Sequence, residues 1–92
     1  METAQDTVRY RLFVGVDIAA ATAMAAWQAA GGKVSRPVQI AQSPEGHAEL
    51  HEKLRASGVP AGETLVVMEA TGSYWITLAT TLSQWGYVVS VV

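Results

Sequence analysis

Residues 65–75 of this chain read Leu-Val-Val-Met-Glu-Ala-Thr-Gly-Ser-Tyr-Trp, and this stretch decides the predicted fold. Its apolar first part is typical of a buried strand. A carboxylate, Glu69, ends the strand, a turn of small residues follows, and an aromatic pair begins a helical pattern. An acid at the carboxyl end of a strand, just before a helix, is how open α/β sheets present functional groups.

The sequence before this stretch predicts a first strand over residues 9–18. It starts polar and then becomes almost continuously apolar, which predicts a central strand buried on both faces. Gly15 within it indicates that another segment packs close to the backbone. Asp17 near its end is the exception, because an ionisable group in apolar surroundings costs free energy unless it is paired or bound to a cation.

Residues 19–30 are rich in alanine and admit two interpretations. Alanine propensity favours a helix, whereas alternating residues followed by the pair Gly31-Gly32 favour a strand leading into a hairpin. The hairpin interpretation predicts a strand from about Thr22 to Gln28 with both faces covered, and an antiparallel partner within residues 33–42. Pro37 favours an edge position for that partner.

Two amphipathic helices complete the pattern. Ser43-Pro44-Glu45 is a helix start with a capping serine, and His47, Leu50 and Leu54 form one stripe. A second helix is predicted from about Ser73 to Trp85, with Thr71 and Ser73 as caps and Gly86 as its end. Residues 87–92 form a last strand.

The predicted order is therefore β-β-β-α-β-α-β, an α/β fold with a mixed five-stranded sheet that stops after the fifth strand. Short links favour antiparallel pairing of the first three strands, and helical connections favour parallel pairing of the others. This is the order of the ribonuclease H-like fold. Residues 1–8 are predicted to be a disordered leader, and residues 9–92 to be one partial domain.

Composition narrows the possible functions. Charged residues make up 15% of the chain, the net charge is −2 and there is no basic run, so composition gives no support for nucleic-acid binding. The absence of cysteine excludes disulfides and zinc–thiolate sites. An acidic start, and no apolar run near the roughly 20 residues of a membrane helix, predict a cytoplasmic protein without membrane contact.

Asp17 and Glu69 are the candidate site residues. In the predicted sheet both lie near the same end of neighbouring parallel strands, and two close carboxylates repel each other unless a cation lies between them. Mg²⁺ is typically held by one or two carboxylates together with substrate phosphates. The competing interpretation is that Asp17 is a turn former and Glu69 a solvated strand end.

Other chemistry-bearing residues have structural interpretations. His47 and His51 are spaced four apart on the first helix but flank a leucine stripe, so they are not predicted to bind a metal. The aromatic residues are predicted to lie in the core or at an interface. A nucleophilic role for Thr71 or Ser73 lacks an adjacent base.

The chain resembles the N-terminal part of DEDD-type bacterial transposases of the insertion-sequence 110 family, which are related to Piv-type DNA invertases. The resemblance covers about residues 12–92. It rests on Val14-Gly15-Val16-Asp17-Ile18, on Ser43-Pro44-Glu45-Gly46 and on Met68-Glu69-Ala70-Thr71-Gly72-Ser73-Tyr74-Trp75. The tail from Leu78 to Val92 continues the match.

The resemblance implies a RuvC-like catalytic domain and Mg²⁺-dependent DNA strand cleavage and transfer, with Mn²⁺ as a substitute. Asp17 matches the first acid of the family's four-carboxylate set and Glu69 matches the second; the family's last two aspartates lie downstream of this chain. The implied partners are DNA, further copies of the protein and, in some members, an element-encoded structured RNA. With half its carboxylates, the chain alone is expected to bind metal weakly and to leave DNA uncut.

One departure concerns the residues after the first acid. Family members often carry a lysine there, whereas this chain has Ile18-Ala19-Ala20-Ala21-Thr22. Two alternatives stand beside the transposase hypothesis. An actin-like ATPase or sugar-kinase lobe would need a glycine-rich phosphate turn where the alanines lie, and a non-catalytic interaction module would use the low charge and the final strand for edge pairing.

Overall fold

The computed structural model describes residues 9–92, which form one sheet and two helices. The predicted leader, residues 1–8, lies outside the described residues. The elements in chain order are β1 (Leu12–Ile18), β2 (Thr22–Ala29), β3 (Val38–Ala41), α1 (Pro44–Arg55), a 3-10 turn (Ala61–Glu63), β4 (Thr64–Met68), α2 (Trp75–Gln84) and β5 (Val88–Val91).

The five strands form a mixed sheet in the order β3-β2-β1-β4-β5. β1 pairs with β2, and β2 with β3, in antiparallel fashion. β1 pairs with β4, and β4 with β5, in parallel. The helix α2 joins the parallel neighbours β4 and β5, and α1 connects β3 across the sheet to β4. Both are crossover connections, because a parallel connection must return the chain to the same end of the sheet. The predicted mixed sheet with two helices is confirmed and is compatible with a ribonuclease H-like fold.

The core lies on one face of the sheet. In β1 the side chains of Leu12, Val14, Val16 and Ile18 are buried, and the alternate residues are exposed. Both helices contribute leucines to the same buried cluster. The prediction that β1 is buried on both faces is therefore wrong, because residues 9–92 place no helix against the second face.

The second face, here called the open face, is apolar and exposed. Phe13 and Met24 are each 42% exposed and Val67 is 37% exposed. The predicted close approach at Gly15 is also wrong: within the described chain no atom lies within 4 Å of where its Cβ would be. β2 also buries one face more than the other: Ala23 and Ala25 are buried and Met24 is exposed. The prediction that both faces of β2 are covered is therefore wrong as well.

The hairpin interpretation of residues 19–30 is confirmed by β2. The following glycine, Gly31, adopts a φ of 78°, which an L side chain rarely occupies. The partner strand is shorter than predicted. An isolated bridge joins Gln28 to Val34 and regular pairing begins only at Val38, after Pro37, consistent with the missing N–H of proline. β3 lies at the sheet edge as expected.

α1 begins as predicted. Pro44 occupies the first turn, and the Ser43 hydroxyl accepts a hydrogen bond from the backbone N–H of Gly46 at 3.1 Å. A Cβ at Gly46 would overlap the carbonyl group of Ala41, so this glycine lets the helix start directly against β3. The stripe formed by His47, Leu50 and Leu54 is buried.

α2 begins two residues later than predicted, at Trp75. Its N-cap is Tyr74, with no side-chain cap hydrogen bond, so the prediction that Thr71 and Ser73 cap this helix is wrong. Leu78 and Leu82 are fully buried, whereas Trp85, just after the helix, is 37% exposed. Gly86 ends the helix with a φ of 97°. Neither helix of residues 9–92 is long and apolar enough to cross a membrane.

Candidate functional site

Asp17 lies near the carboxyl end of β1 on the open face. It alternates with the buried residues Val16 and Ile18, and its side chain is exposed. On one side its backbone is paired with Met24 of β2. The carboxylate therefore faces solvent at a strand end, away from the core.

Glu69 directly follows the neighbouring strand β4, which ends at Met68. In the parallel register of β1 and β4, Val16 pairs with Met68; Asp17 follows Val16 within β1, and Glu69 follows Met68 just beyond β4. Glu69 is exposed and continues the alternation that buries Met68. Neighbouring strands lie about 4.8 Å apart, and each acid directly follows one member of the last registered pair of β1 and β4.

Neither carboxylate has a side-chain partner within residues 9–92. The ion pairs of this part of the chain lie elsewhere: Arg11 with Glu63 at 3.0 Å, and Arg55 with Glu52 at 3.3 Å. Two adjacent acids without a cationic partner are the arrangement that a metal cation stabilises. Their oxygen donors and exposure fit Mg²⁺, which keeps several water ligands beside one or two carboxylates.

The pair has no third protein ligand in the part of the chain that the structure describes. Across residues 9–92, no group of three or more His, Cys, Asp or Glu side chains is close enough to hold a metal ion. The two acids therefore leave most of a cation's coordination positions to water or to another ligand.

Comparison with known proteins bears on this arrangement. Residues 14–92 match the profile of a transposase family, the DEDD transposases of insertion sequence 110. The chain belongs to this transposase family. A search of curated proteins found no match. Transposases cleave DNA, so DNA is the partner that family membership implies, and DEDD transposases generally use a divalent metal. The match includes both Asp17 and Glu69.

In this transposase chain the turn after Glu69 is closed by backbone bonds. The N–H of Thr71 donates to the Glu69 carbonyl at 3.0 Å, and Gly72 adopts a φ of 56°. The indole N–H of Trp75 donates to the Gly72 carbonyl at 3.1 Å. Trp75 thus holds the turn against the start of α2, a local role for an aromatic residue predicted to lie in the core or at an interface.

The two histidines lie on the helix side of the sheet and have protein partners. His47 is 2% exposed, and its Nε2 lies 3.0 Å from Oε1 of Gln42. Burial lowers the pKa of His47 below 6.5. His51 stacks on Trp85 with ring centroids 4.4 Å apart, and its Nδ1 lies 2.9 Å from the hydroxyl of Tyr87. That neither histidine binds a metal stays a prediction.

The pKa of the Tyr87 hydroxyl, which contacts His51, is also shifted. Burial raises its pKa; the nearby Arg55 opposes this effect and Glu52 adds to it. Tyr87 is 6% exposed, which agrees with its predicted place in the core, whereas Tyr74 is 51% exposed.

Sequence reasoning missed Gln42, which connects the segments around the acids. Its side chain contacts the turn after β1, the turn before α2 and the His47 ring. The available signal was a long polar residue between the apolar β3 and the helix start at Ser43. Such a residue is common at the surface, so the pattern alone did not distinguish it.

Proposed function

We propose that residues 9–92 are part of a RuvC-like, ribonuclease H-like catalytic domain in which Asp17 and Glu69 bind a divalent metal, Mg²⁺ or Mn²⁺, for DNA strand cleavage and transfer. The observation that carries this proposal is the register of β1 and β4. It brings two exposed carboxylates, without partners among residues 9–92, to adjacent strand ends.

The sheet supports the fold part of the proposal. Three antiparallel strands followed by two parallel strands, with β1 in the centre, form the arrangement expected for a ribonuclease H-like domain. Family membership supports the activity part. It also favours a transposase over an actin-like ATPase lobe or a purely structural module.

Each residue has a defined task in the proposed mechanism. Asp17 and Glu69 would be the protein ligands of the cation, and water and the oxygens of a DNA phosphate would complete its coordination. Bound divalent metal ions activate the attacking oxygen and stabilise the leaving oxygen in phosphodiester chemistry. With two protein ligands among residues 9–92, we expect weak metal binding and no DNA cleavage by this part alone.

The turn between Asp17 and β2 limits how DNA is held. Residues 19–21 are three alanines, and this turn carries no positive side chain. Within residues 9–92, only glycines adopt a positive φ, and none of these glycines lies in this turn. The side chains of this turn therefore offer no cation to a phosphate near Asp17.

Two further partners belong to the proposal. Self-association is proposed through the outer edge of β5, which pairs only with β4 in the sheet and could add a strand from another copy. Sedimentation at increasing concentration tests it, and a monomer at every concentration would contradict it. A structured RNA partner rests on the family resemblance alone.

A Mn²⁺ titration followed by NMR tests the metal site. We expect paramagnetic broadening to begin at the amides of Asp17 and Glu69. Asp17→Asn and Glu69→Gln should each weaken it, and Glu63→Gln, at the other end of β4, is the matched control. Broadening centred elsewhere would contradict the proposal. In a longer chain that contains these residues and cleaves DNA, Asp17→Ala should abolish strand cleavage while the protein stays folded.

A further inference from the structure

We propose that Gln42 is a positioning residue for the carboxylate pair: its side-chain amide ties the turn that follows Asp17 to the turn that follows Glu69. The inference rests on the proposed metal-binding function of these two acids. It assigns to Gln42 no contact with metal or DNA, only control of how the two strand ends lie relative to each other.

The contacts of Gln42 reach both turns. Its Nε2 donates to the carbonyl of Tyr74 at 3.1 Å and, more weakly, to the carbonyl of Ala19 at 3.4 Å. Its backbone N–H donates to the carbonyl of Ala21 at 2.9 Å. Ala19 lies two residues after Asp17, so one side chain joins both segments.

The orientation of the amide follows from its partners. Both backbone carbonyls only accept hydrogen bonds, so the Nε2 group with its two N–H donors must face them. Oε1 then faces His47 and accepts from its Nε2–H at 3.0 Å. Burial lowers the pKa of His47 and favours the neutral ring, whose Nε2-protonated tautomer supplies this donor. The amide is thus held in one orientation by three contacts.

The strand pairing explains why such a tie matters. The registered pairing of β1 with β4 ends at Val16 and Met68, just before the two acids. Beyond that point each strand end is held by its other neighbour: Asp17 is paired with β2, and the N–H of Ala70 donates to Val92. Gln42 bonds to both turns, and no other side chain of residues 9–92 does so.

The surroundings of Gln42 allow its role to be separated from folding. Gln42 is half-buried and lines an open cleft of about 200 Å³ together with Ala20, Ser73 and Thr77. Water can enter this cleft and solvate the carbonyls of Ala19 and Tyr74 if the amide is removed. We therefore expect the substitution to loosen the two strand ends without unfolding the core.

The test compares Mn²⁺ binding of the wild type and Gln42→Met, which keeps the side-chain length but has no amide. Loss of a group that hydrogen-bonds a metal ligand typically weakens metal binding by about 10–100-fold. Gln42 bonds to the backbone near the acids and not to the acids themselves, so we expect the lower end of that range, about a tenfold higher Kd. Amide hydrogen exchange without metal should show lost protection at Ala19 and Ile76, and unchanged protection at Arg11.

Two controls separate positioning from other effects. Gln28→Met makes the same chemical change where the amide donates to the Gly32 carbonyl at 2.6 Å, and it should leave the Kd unchanged. Thr64→Val removes a buried hydroxyl that donates to Pro60 at 3.0 Å. It should lower stability without changing the Kd, because Thr64 lies at the opposite end of β4.

The variant Gln42→Glu separates the effect of positioning the two strand ends from the effect of the charge on the side chain at residue 42. It keeps the size of the side chain and adds a negative charge, which by attraction alone would tighten cation binding. Positioning predicts weaker binding, because a carboxylate cannot donate to two carbonyls. An unchanged Kd in Gln42→Met, or tighter binding in Gln42→Glu, would overturn the inference. If the wild type shows no Mn²⁺ binding at Asp17 and Glu69, the proposed function fails first and the inference fails with it.

Discussion

Asp17 directly follows Val16, and Glu69 directly follows Met68, where Val16 and Met68 form the last registered pair of the parallel strands β1 and β4. Both side chains are exposed, and neither has an ion-pair partner in residues 9–92. A divalent cation bound by these two acids, as proposed, would favour the native state over the unfolded state. Metal binding should therefore be visible as added stability.

Divalent metal should stabilise the fold through this pair. At a free metal concentration ten times the Kd, binding to the native state adds about 1.4 kcal/mol to the free energy of unfolding. For a domain of this size, that increase corresponds to a rise in Tm of several degrees. Asp17→Asn and Glu69→Gln should each reduce the shift, measured by thermal unfolding with and without Mn²⁺. An equal shift in Asp17→Asn would show that the metal binds elsewhere, and Glu63→Gln should retain the wild-type shift.

Stability should fall as the pH is lowered from 7.5 to 5.5 because of His47. The pKa of this buried ring is below the unfolded value of 6.5, so the unfolded chain takes up its proton first as the pH falls. The neutral His47 ring therefore makes its full contribution to the stability of the fold above pH 6.5. That contribution is lost as the pH falls toward the pKa of His47 in the folded state. Urea unfolding at both pH values measures the effect.

Two variants test the assignment to His47. His47→Gln should flatten the pH dependence, since it removes the titrating ring and keeps a donor for Gln42. His51→Gln, one turn along the same helix, should retain the fall. A fall of equal size in His47→Gln would assign the proton uptake to another group.

Gly46→Ala should destabilise the fold. The added Cβ would overlap the carbonyl of Ala41 at the start of α1, and overpacking of this kind typically costs about 1–3 kcal/mol. Gly62→Ala is the matched control, because nothing lies within 4 Å of its Cβ position; it should stay within about 0.5 kcal/mol of the wild type. Similar urea midpoints for the two variants would contradict the close helix–strand contact.

Leu78→Ala and Ile76→Ala should differ sharply although they lie on the same helix. Leu78 is fully buried and Ile76 is 48% exposed. Truncating a buried leucine costs about 2–5 kcal/mol, whereas the change at Ile76 should cost less than about 1 kcal/mol. Denaturant unfolding measures both. Comparable losses would mean that the α2 face packed on the sheet is not the one described here.

Local sequence signals predicted most of the strands and helices that the structure contains. Residues 43–45 predict the start of α1, and the glycine pair after residue 30 predicts the hairpin end of β2, because capping, φ preference and proline geometry act over a few residues. Connection lengths then separate antiparallel from parallel pairing. Asp17 and Glu69 were predicted to lie close together because each comes near the end of an apolar strand, and this stays a prediction.

Contacts between segments that are distant in sequence determine which surfaces are covered. They also determine how the carboxyl ends of β1 and β4 are connected. Burial of one face of β1 depends on where both helices pack, which the pattern of β1 itself does not specify. The contacts of Gln42 join segments distant in sequence, so no local preference predicts them. The start of α2 at Trp75 depends on a turn held by the indole and Gly72. These features follow from long-range packing and hydrogen bonding, whereas the elements themselves follow from local physical chemistry.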